Sequence, residues 1–206
     1  YGWPLIRNAK PNVGHDSLAA LETLGHIDLL ITQNVDGLHQ KAGSHKVVDL
    51  HGRVDRARCI ACSATHCRDA VQHQLARSTA WPDQPQTSGR PDGDADIPDE
   101  VAGAVVLPRC QECGGDLRPD VVFFGGSLPA ERVQRCLQAL QSADALLVLG
   151  SSLTVYSGFR FCRKASQLGK AIAIVNPGAT RADDLADTRL FAPAGPLLAE
   201  VLATLQ

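Results

Sequence analysis

Two Cys-x-x-Cys pairs, Cys59/Cys62 and Cys110/Cys113, constrain this chain more than any other feature. Each pair puts two thiols on one tight turn, and two such turns supply the four soft donors of a tetrahedral zinc site. Four protein ligands leave no open position for a substrate. The expected role is therefore structural, holding together a lobe too small to support itself. The gap between the pairs exceeds usual zinc-ribbon spacing, and the excess is a polar insertion. Residues 81–100 hold four prolines, six acidic residues and one basic residue, a composition that disfavours a packed element. Loop-closure cost grows slowly with length, so the insertion is compatible with one site. His66 and Cys67 lie near enough to compete as ligands, whereas Cys136 and Cys162 fall in helical patterns and read as core.

Outside this interval, short apolar runs alternate with helical patterns. Ile27–Thr32, Val47–Leu50, Val121–Phe124, Ala145–Leu149 and Ala171–Val175 read as buried strands. The segments HDSLAALETLG, PAERVQRCLQALQSA and SGFRFCRKASQLGK carry apolar residues at helical spacing, and Pro196 to Leu205 reads as a terminal amphipathic helix. This alternation predicts an α/β fold, a doubly wound, Rossmann-like parallel sheet with a small four-cysteine zinc-binding lobe. The expected boundaries are 1–55 and 119–206 for the parallel-sheet part and 56–118 for the lobe, with the acidic insertion at about 78–102.

A length of 206 residues with 44% hydrophobic content suffices for one core and a small satellite. A net charge of -2, with no Lys/Arg block, gives no footprint for nucleic acid. No apolar run reaches the roughly 18 residues of a membrane span, and no signal peptide is visible. Neither nucleic acid nor membrane is an expected partner. Paired thiols fit a reducing compartment. The chain opens at Tyr1 and contains no methionine, so it reads as a fragment.

In an open parallel sheet, ligands bind beyond the carboxyl ends of the strands. Three such ends carry suitable chemistry: Thr32-Gln33-Asn34-Val35-Asp36, Gly150-Ser151-Ser152 and Asn176-Pro177-Gly178. Together they suggest a nucleotide cleft, although each is also an ordinary turn or cap taken singly. The Gly-rich phosphate fingerprint is absent from these residues.

The ordered motifs TQNVDGLHQKAG, DLHG, the two Cys-x-x-Cys pairs, LRPDVVFFGG, LLVLGSSLTVYS and AIVNPG resemble the sirtuins, NAD-dependent protein-lysine deacylases. The phrases GWP and PN near the start, VVFFG and TVYSGFRF are closest to the class II branch, which includes mitochondrial members. The resemblance implies NAD as co-substrate, one structural zinc ion held by Cys59, Cys62, Cys110 and Cys113, and an acyl-lysine protein or peptide as substrate. His51 in DLHG matches the catalytic histidine. The implied chemistry begins when the acyl oxygen displaces nicotinamide at the ribose. His51 then deprotonates a ribose hydroxyl that attacks the resulting imidate, freeing lysine and leaving the acyl group on ADP-ribose. Mono-ADP-ribosyl transfer is a second activity of the family.

By the same resemblance, Gln33, Asn34, Val35 and Asp36 line the nicotinamide and ribose end. Gly150, Ser151 and Ser152 meet the adenosine side, and Asn176, Pro177 and Gly178 the adenine ribose. Ala194 stands where the family often has a cysteine beside adenine. Val122, Phe123, Phe124 and Gly125 match the segment that pairs with substrate peptide through its backbone. The chain departs from the family at Asp49, where Glu is usual, and at Gly126, where an acid is usual. His39 maps onto no catalytic role and reads as structural. Family members carry a strand and a Gly-Ala-Gly phosphate loop before the point matching Tyr1. On that reading a truncated chain would act as a non-catalytic, zinc-containing acyl-peptide-binding module. The expected compartment is a bacterial cytoplasm or, alternatively, the mitochondrial matrix.

Overall fold

A computed structural model describes residues 2–78 and 98–205. In chain order its elements are α1 (Trp3–Asn8), α2 (Val13–Thr23), β1 (Leu30–Thr32), α3 (Leu38–Lys41), β2 (Val47–Asp49) and β3 (Gly52–Cys59). There follow β4 (Thr65–Cys67), α4 (Arg68–Ser78), α5 (Asp99–Gly103), β5 (Leu117–Val121) and α6 (Ala130–Ser142). The chain ends with β6 (Ala145–Leu149), α7 (Tyr156–Gln167), β7 (Ala171–Val175), a 3-10 turn at Asp183–Leu185, β8 (Thr188–Leu190) and α8 (Ala194–Leu205). Most of the acidic insertion, residues 79–97, lies outside the described residues. The chain divides into two compact units. One comprises residues 1–9, 34–37 and 52–123, and the other residues 10–33, 38–51 and 124–206.

The second unit is the parallel α/β part. β1 pairs with β2 and β7 lies between β6 and β8, all in parallel. Helix α3 connects β1 to β2, and α7 connects β6 to β7, as parallel pairing requires. The strands are short and rich in β-branched residues and leucine, and Ile172 and Ile174 are essentially inaccessible. Each such side chain contributes about 1.5–3 kcal/mol through removal from water. Cys136 and Leu140 of α6, with Phe161, Cys162 and Ala165 of α7, pack onto this core. Their spacing of three or four residues places them on one stripe of each helix. Burial pushes the thiols of Cys136 and Cys162 up to about 11, as expected of inert core cysteines. A second cluster joins Leu18 and Leu21 of α2, Leu30 and Leu198. α2 is started by Asn12, whose Oδ1 accepts the backbone N–H groups of Gly14 and His15 at 3.0 and 3.3 Å.

The first unit carries a three-stranded antiparallel sheet in the order β4-β3-β5. The expected strand Val121–Phe124 is corrected here: the strand runs Leu117–Val121, antiparallel, and residues 122–125 belong to no strand. Pro119 is tolerated because β5 is an edge strand, opposite a register shift between Arg53 and Ala57. Asp120 ties the sheet together by facing Arg56 and Arg58 at 3.5 and 3.9 Å. α1 is held to α4 by Asp69, which accepts from Trp3 Nε1 at 3.0 Å and pairs with Arg7 at 3.1 Å. No described helix is long and apolar enough to cross a membrane.

Candidate functional site

The four paired cysteines meet in the first unit. Their sulfurs all lie within 4.8 Å of one another, with Cys59 to Cys113 at 3.5 Å and Cys62 to Cys110 at 3.7 Å. A zinc–sulfur bond of about 2.3 Å gives a tetrahedron edge of about 3.8 Å, so the cage fits zinc, while a disulfide would need about 2.05 Å.

The two turns are built alike. Cys59 N donates to Ala64 O and Ser63 N to Cys59 O; Cys110 N donates to Gly115 O and Gly114 N to Cys110 O. The residue four after the first cysteine is left-handed in both turns, Ser63 at φ 64° and Gly114 at φ 72°. A Cβ at Gly115 would stand 3.0 Å from Cys59 Sγ and 3.3 Å from Cys113 Sγ. Only glycine leaves the sulfurs that room.

Electrostatics point the same way. Backbone N–H groups of Cys62 and Ala61 aimed at its sulfur, aided by the neighbouring thiols, lower Cys59 to about 6 against the opposing effect of burial. The N–H of Ala64 pulls Cys62 down, but Cys113, burial, Cys59 and Cys110 together push it up to about 12. Four sulfurs this close cannot all ionise without a cation, and a divalent metal supplies that charge. His66 and Cys67 are not in the cage. His66 Nε2 instead touches Cys110 Sγ at 3.2 Å, and Cys67 is exposed.

In the second unit, the structure brings together three of the sequence-derived candidates, Gln33, His51 and Ser151. His51 Nδ1 lies 2.9 Å from the carbonyl oxygen of Gln33, and Nε2 lies 2.9 Å from Ser157 Oγ. A carbonyl can only accept, so Nδ1 carries the proton. Nε2 then presents its lone pair and accepts from the serine hydroxyl. The ring is thus held at both ends in one tautomer, with the basic nitrogen defined. The Gln33 side chain donates through Nε2 to Ser151 Oγ at 3.2 Å. It lies across Gly158, where a Cβ would come within 2.8 Å of the amide. Asp49 accepts from Gln40 Nε2 at 2.9 and 3.1 Å, fixing the residue at which the chain departs from the motif.

Gly150 and Ser152 follow β6, and Ser152 Oγ meets Thr154 Oγ1 at 2.9 Å. The next residue, Leu153, is buried at φ 56°, a non-glycine outlier of the kind that concentrates at functional turns. Asn176 Nδ2 donates to Gly178 O at 2.7 Å across Pro177, and Arg189 braces this turn through Asn176 O at 2.9 Å. Ala194 opens α8. In the first unit, Val35 O accepts from Val54 N at 2.9 Å, with Asn34 and Asp36 on either side in the chain. Val122 and Phe123 end that unit, while Phe124 and Gly125 begin the last segment of the other. Phe124 is wholly exposed. Ser157 is the residue sequence reasoning missed. It sits inside a quoted motif, but nothing local pairs it with a histidine 106 positions away.

The Sir2 family profile matches residues 3–157. An NAD-dependent protein deacetylase of Bordetella bronchiseptica is 47% identical over 202 residues, covering 98% of this chain and 74% of that protein. One from Xanthomonas campestris pv. campestris is 52% identical over 185 residues, covering 89% of this chain and 63% of that protein. Among solved structures, Sir2 with a p53 peptide and NAD+ is similar at a TM-score of 0.78 and 32% identity, over 97% of this chain and 72% of that one. Sir2 bound to acetylated peptide gives 0.78 and 31%, with the same coverage. The chain therefore belongs to the Sir2 family, the sirtuins.

Proposed function

We propose that the protein is an NAD-dependent protein-lysine deacylase in which His51 is the general base. The single observation carrying this reading is the fixed His51 tautomer, Nδ1 on the Gln33 carbonyl and Nε2 on an exchangeable hydroxyl partner. NAD supplies the ribose carbon that accepts the acyl oxygen and the nicotinamide that leaves. His51 Nε2 receives a proton from a substrate hydroxyl that takes the place of Ser157. The resulting charge is stabilised by the Gln33 carbonyl at Nδ1–H.

The remaining assignments rest on motif and family. Gln33, Asn34, Val35 and Asp36 serve the nicotinamide end. Gly150, Ser151, Ser152, Asn176, Pro177, Gly178 and Ala194 serve the adenosine end. The backbone of Val122, Phe123, Phe124 and Gly125 would offer hydrogen bonds to an acyl-lysine peptide, in keeping with a similar structure of Sir2 bound to acetylated peptide. The cysteine cage would hold one zinc ion, and the class II phrases support placing the chain in that branch. A reducing compartment, a bacterial cytoplasm or mitochondrial matrix, suits the thiolates.

The test is nicotinamide release by the full protein with NAD, with an acyl-lysine peptide, and with both. Release requiring both supports the deacylase. Peptide binding without release supports a non-catalytic acyl-peptide-binding module, and ADP-ribose left on a protein acceptor identifies mono-ADP-ribosyl transfer.

A further inference from the structure

We propose that His66 is a positioning residue for the metal cage, donating its Nε2–H to the Cys110 thiolate and closing the solvent side of that ligand. The proposal rests on the zinc reading of the four cysteines. His66 lies on β4, registered opposite Ala57 of β3, and its Nε2 is 3.2 Å from Cys110 Sγ. The two turns share the hydrogen bonds from Cys59 N and Cys110 N and from Ser63 N and Gly114 N, and His66 brings a side-chain group to the second of them. A metal bound by four thiolates has excess negative charge on sulfur, and each N–H aimed at a sulfur disperses part of it. Cys110 has one brought from a different strand.

The ring has a second consequence. Beside it is a cavity of about 230 Å³, lined by His66 with Thr65, Gln74, Arg109 and Gln111 among others. Cys110 is 3% exposed and does not line that cavity. The imidazole therefore stands between the cavity and the buried sulfur, where a chelator or oxidant would otherwise approach. This role needs only a ring N–H and involves no change of charge on His66.

The experiment uses the zinc-loaded chain, wild type, His66→Phe and His66→Gln, with zinc affinity and release measured by competition with a chromophoric chelator. The amide nitrogen of Gln can reach where imidazole Nε2 stood, whereas Phe fills the space without donating. Loss of an outer-shell donor typically costs about 10–100-fold in metal affinity, so His66→Phe should weaken zinc by that factor and His66→Gln should recover most of it. In the cobalt-substituted proteins, the thiolate-to-metal charge-transfer band should move to lower energy in His66→Phe, because an unbonded sulfur lone pair is easier to oxidise. Unchanged affinity in His66→Phe overturns the proposal. If His66→Phe is poorly folded, an equal loss in His66→Gln with an unmoved cobalt band also overturns it. A wild-type chain that binds neither zinc nor cobalt overturns the cage reading itself, a separate outcome.

Discussion

Replacing Gly52 by alanine probes the strand that follows the proposed catalytic histidine. Gly52 has φ +86°, and a Cβ there would stand 2.1 Å from the carbonyl oxygen of Asp120 and 3.1 Å from Val121 Cα. These are backbone atoms on β5 and cannot swing aside. Two costs follow. Left-handed backbone costs a non-glycine residue about 1–2 kcal/mol. The clash must also separate the first ladder pairs, Gly52 with Val121 and Arg53 with Asp120, losing one or two hydrogen bonds at about 1 kcal/mol each. Gly52→Ala should therefore destabilise by about 2–4 kcal/mol, a large part of the roughly 5–15 kcal/mol typical of a domain. Gly114→Ala is the control. It has φ +72° with nothing within 4 Å of its Cβ, and Ser63 already bears the same strain in the matching turn. Its cost should be only the conformational part, about 1–2 kcal/mol. Urea unfolding of the zinc-loaded proteins measures both. Equal losses in the two variants, or less than about 1 kcal/mol for Gly52→Ala, would refute the reasoning.

Three further outcomes are expected. In the zinc-loaded chain, Cys67 should react with a thiol reagent at mild alkaline pH while Cys136 and Cys162, pushed up to about 11 by burial, stay unmodified; mass mapping of labelled peptides decides it. Zinc removal should release amide hydrogens of β3, β4 and β5 to exchange while those of β6 and β7 remain protected, and uniform loss across both groups would contradict separate stabilisation. The Thr180 hydroxyl and N–H, with Arg189, hold the Asp183 carboxyl below its usual value of 3.8. A depressed carboxylate contributes stability that is present above the unfolded value and lost as pH falls through the folded one. Asp183→Asn should accordingly flatten the acid limb of stability below pH about 4; parallel wild-type and variant curves there would count against the assignment.

The parts of the fold legible in sequence are those stabilised locally. β6 and β7 are continuous β-branched or leucine-rich runs, and α6 and α7 show apolar stripes, so each element is written in one segment, although in β6 only Val148 is buried and Leu147 is exposed. β3, Gly52–Cys59, carries three arginines and an aspartate and has no local pattern of a buried strand. Its stability comes from partners elsewhere, Asp120 across the sheet and the cysteine turn at its end. The same competition misplaced β5: Val121–Phe124 is richer in strand formers, but Leu117–Val121 is what β3 can pair with. In the site, His51, Gln33 and Ser151 were readable because they lie in family motifs at strand ends. Ser157 was not, and His66 was legible only as a competing ligand rather than as a neighbour of Cys110, since each meets a partner distant in the chain and side-chain adjacency is fixed only by the packed strands.

The most direct measurement is single-turnover nicotinamide release, together with lysine freed from acyl-lysine peptide, for wild type and His51→Ala in the full protein. Zinc content and unfolding midpoint are matched before comparison. One nicotinamide per lysine freed is expected in wild type, and a fall of about 100- to 10,000-fold in lysine freed by His51→Ala. Undiminished deacylation by a folded, zinc-loaded His51→Ala protein would contradict it.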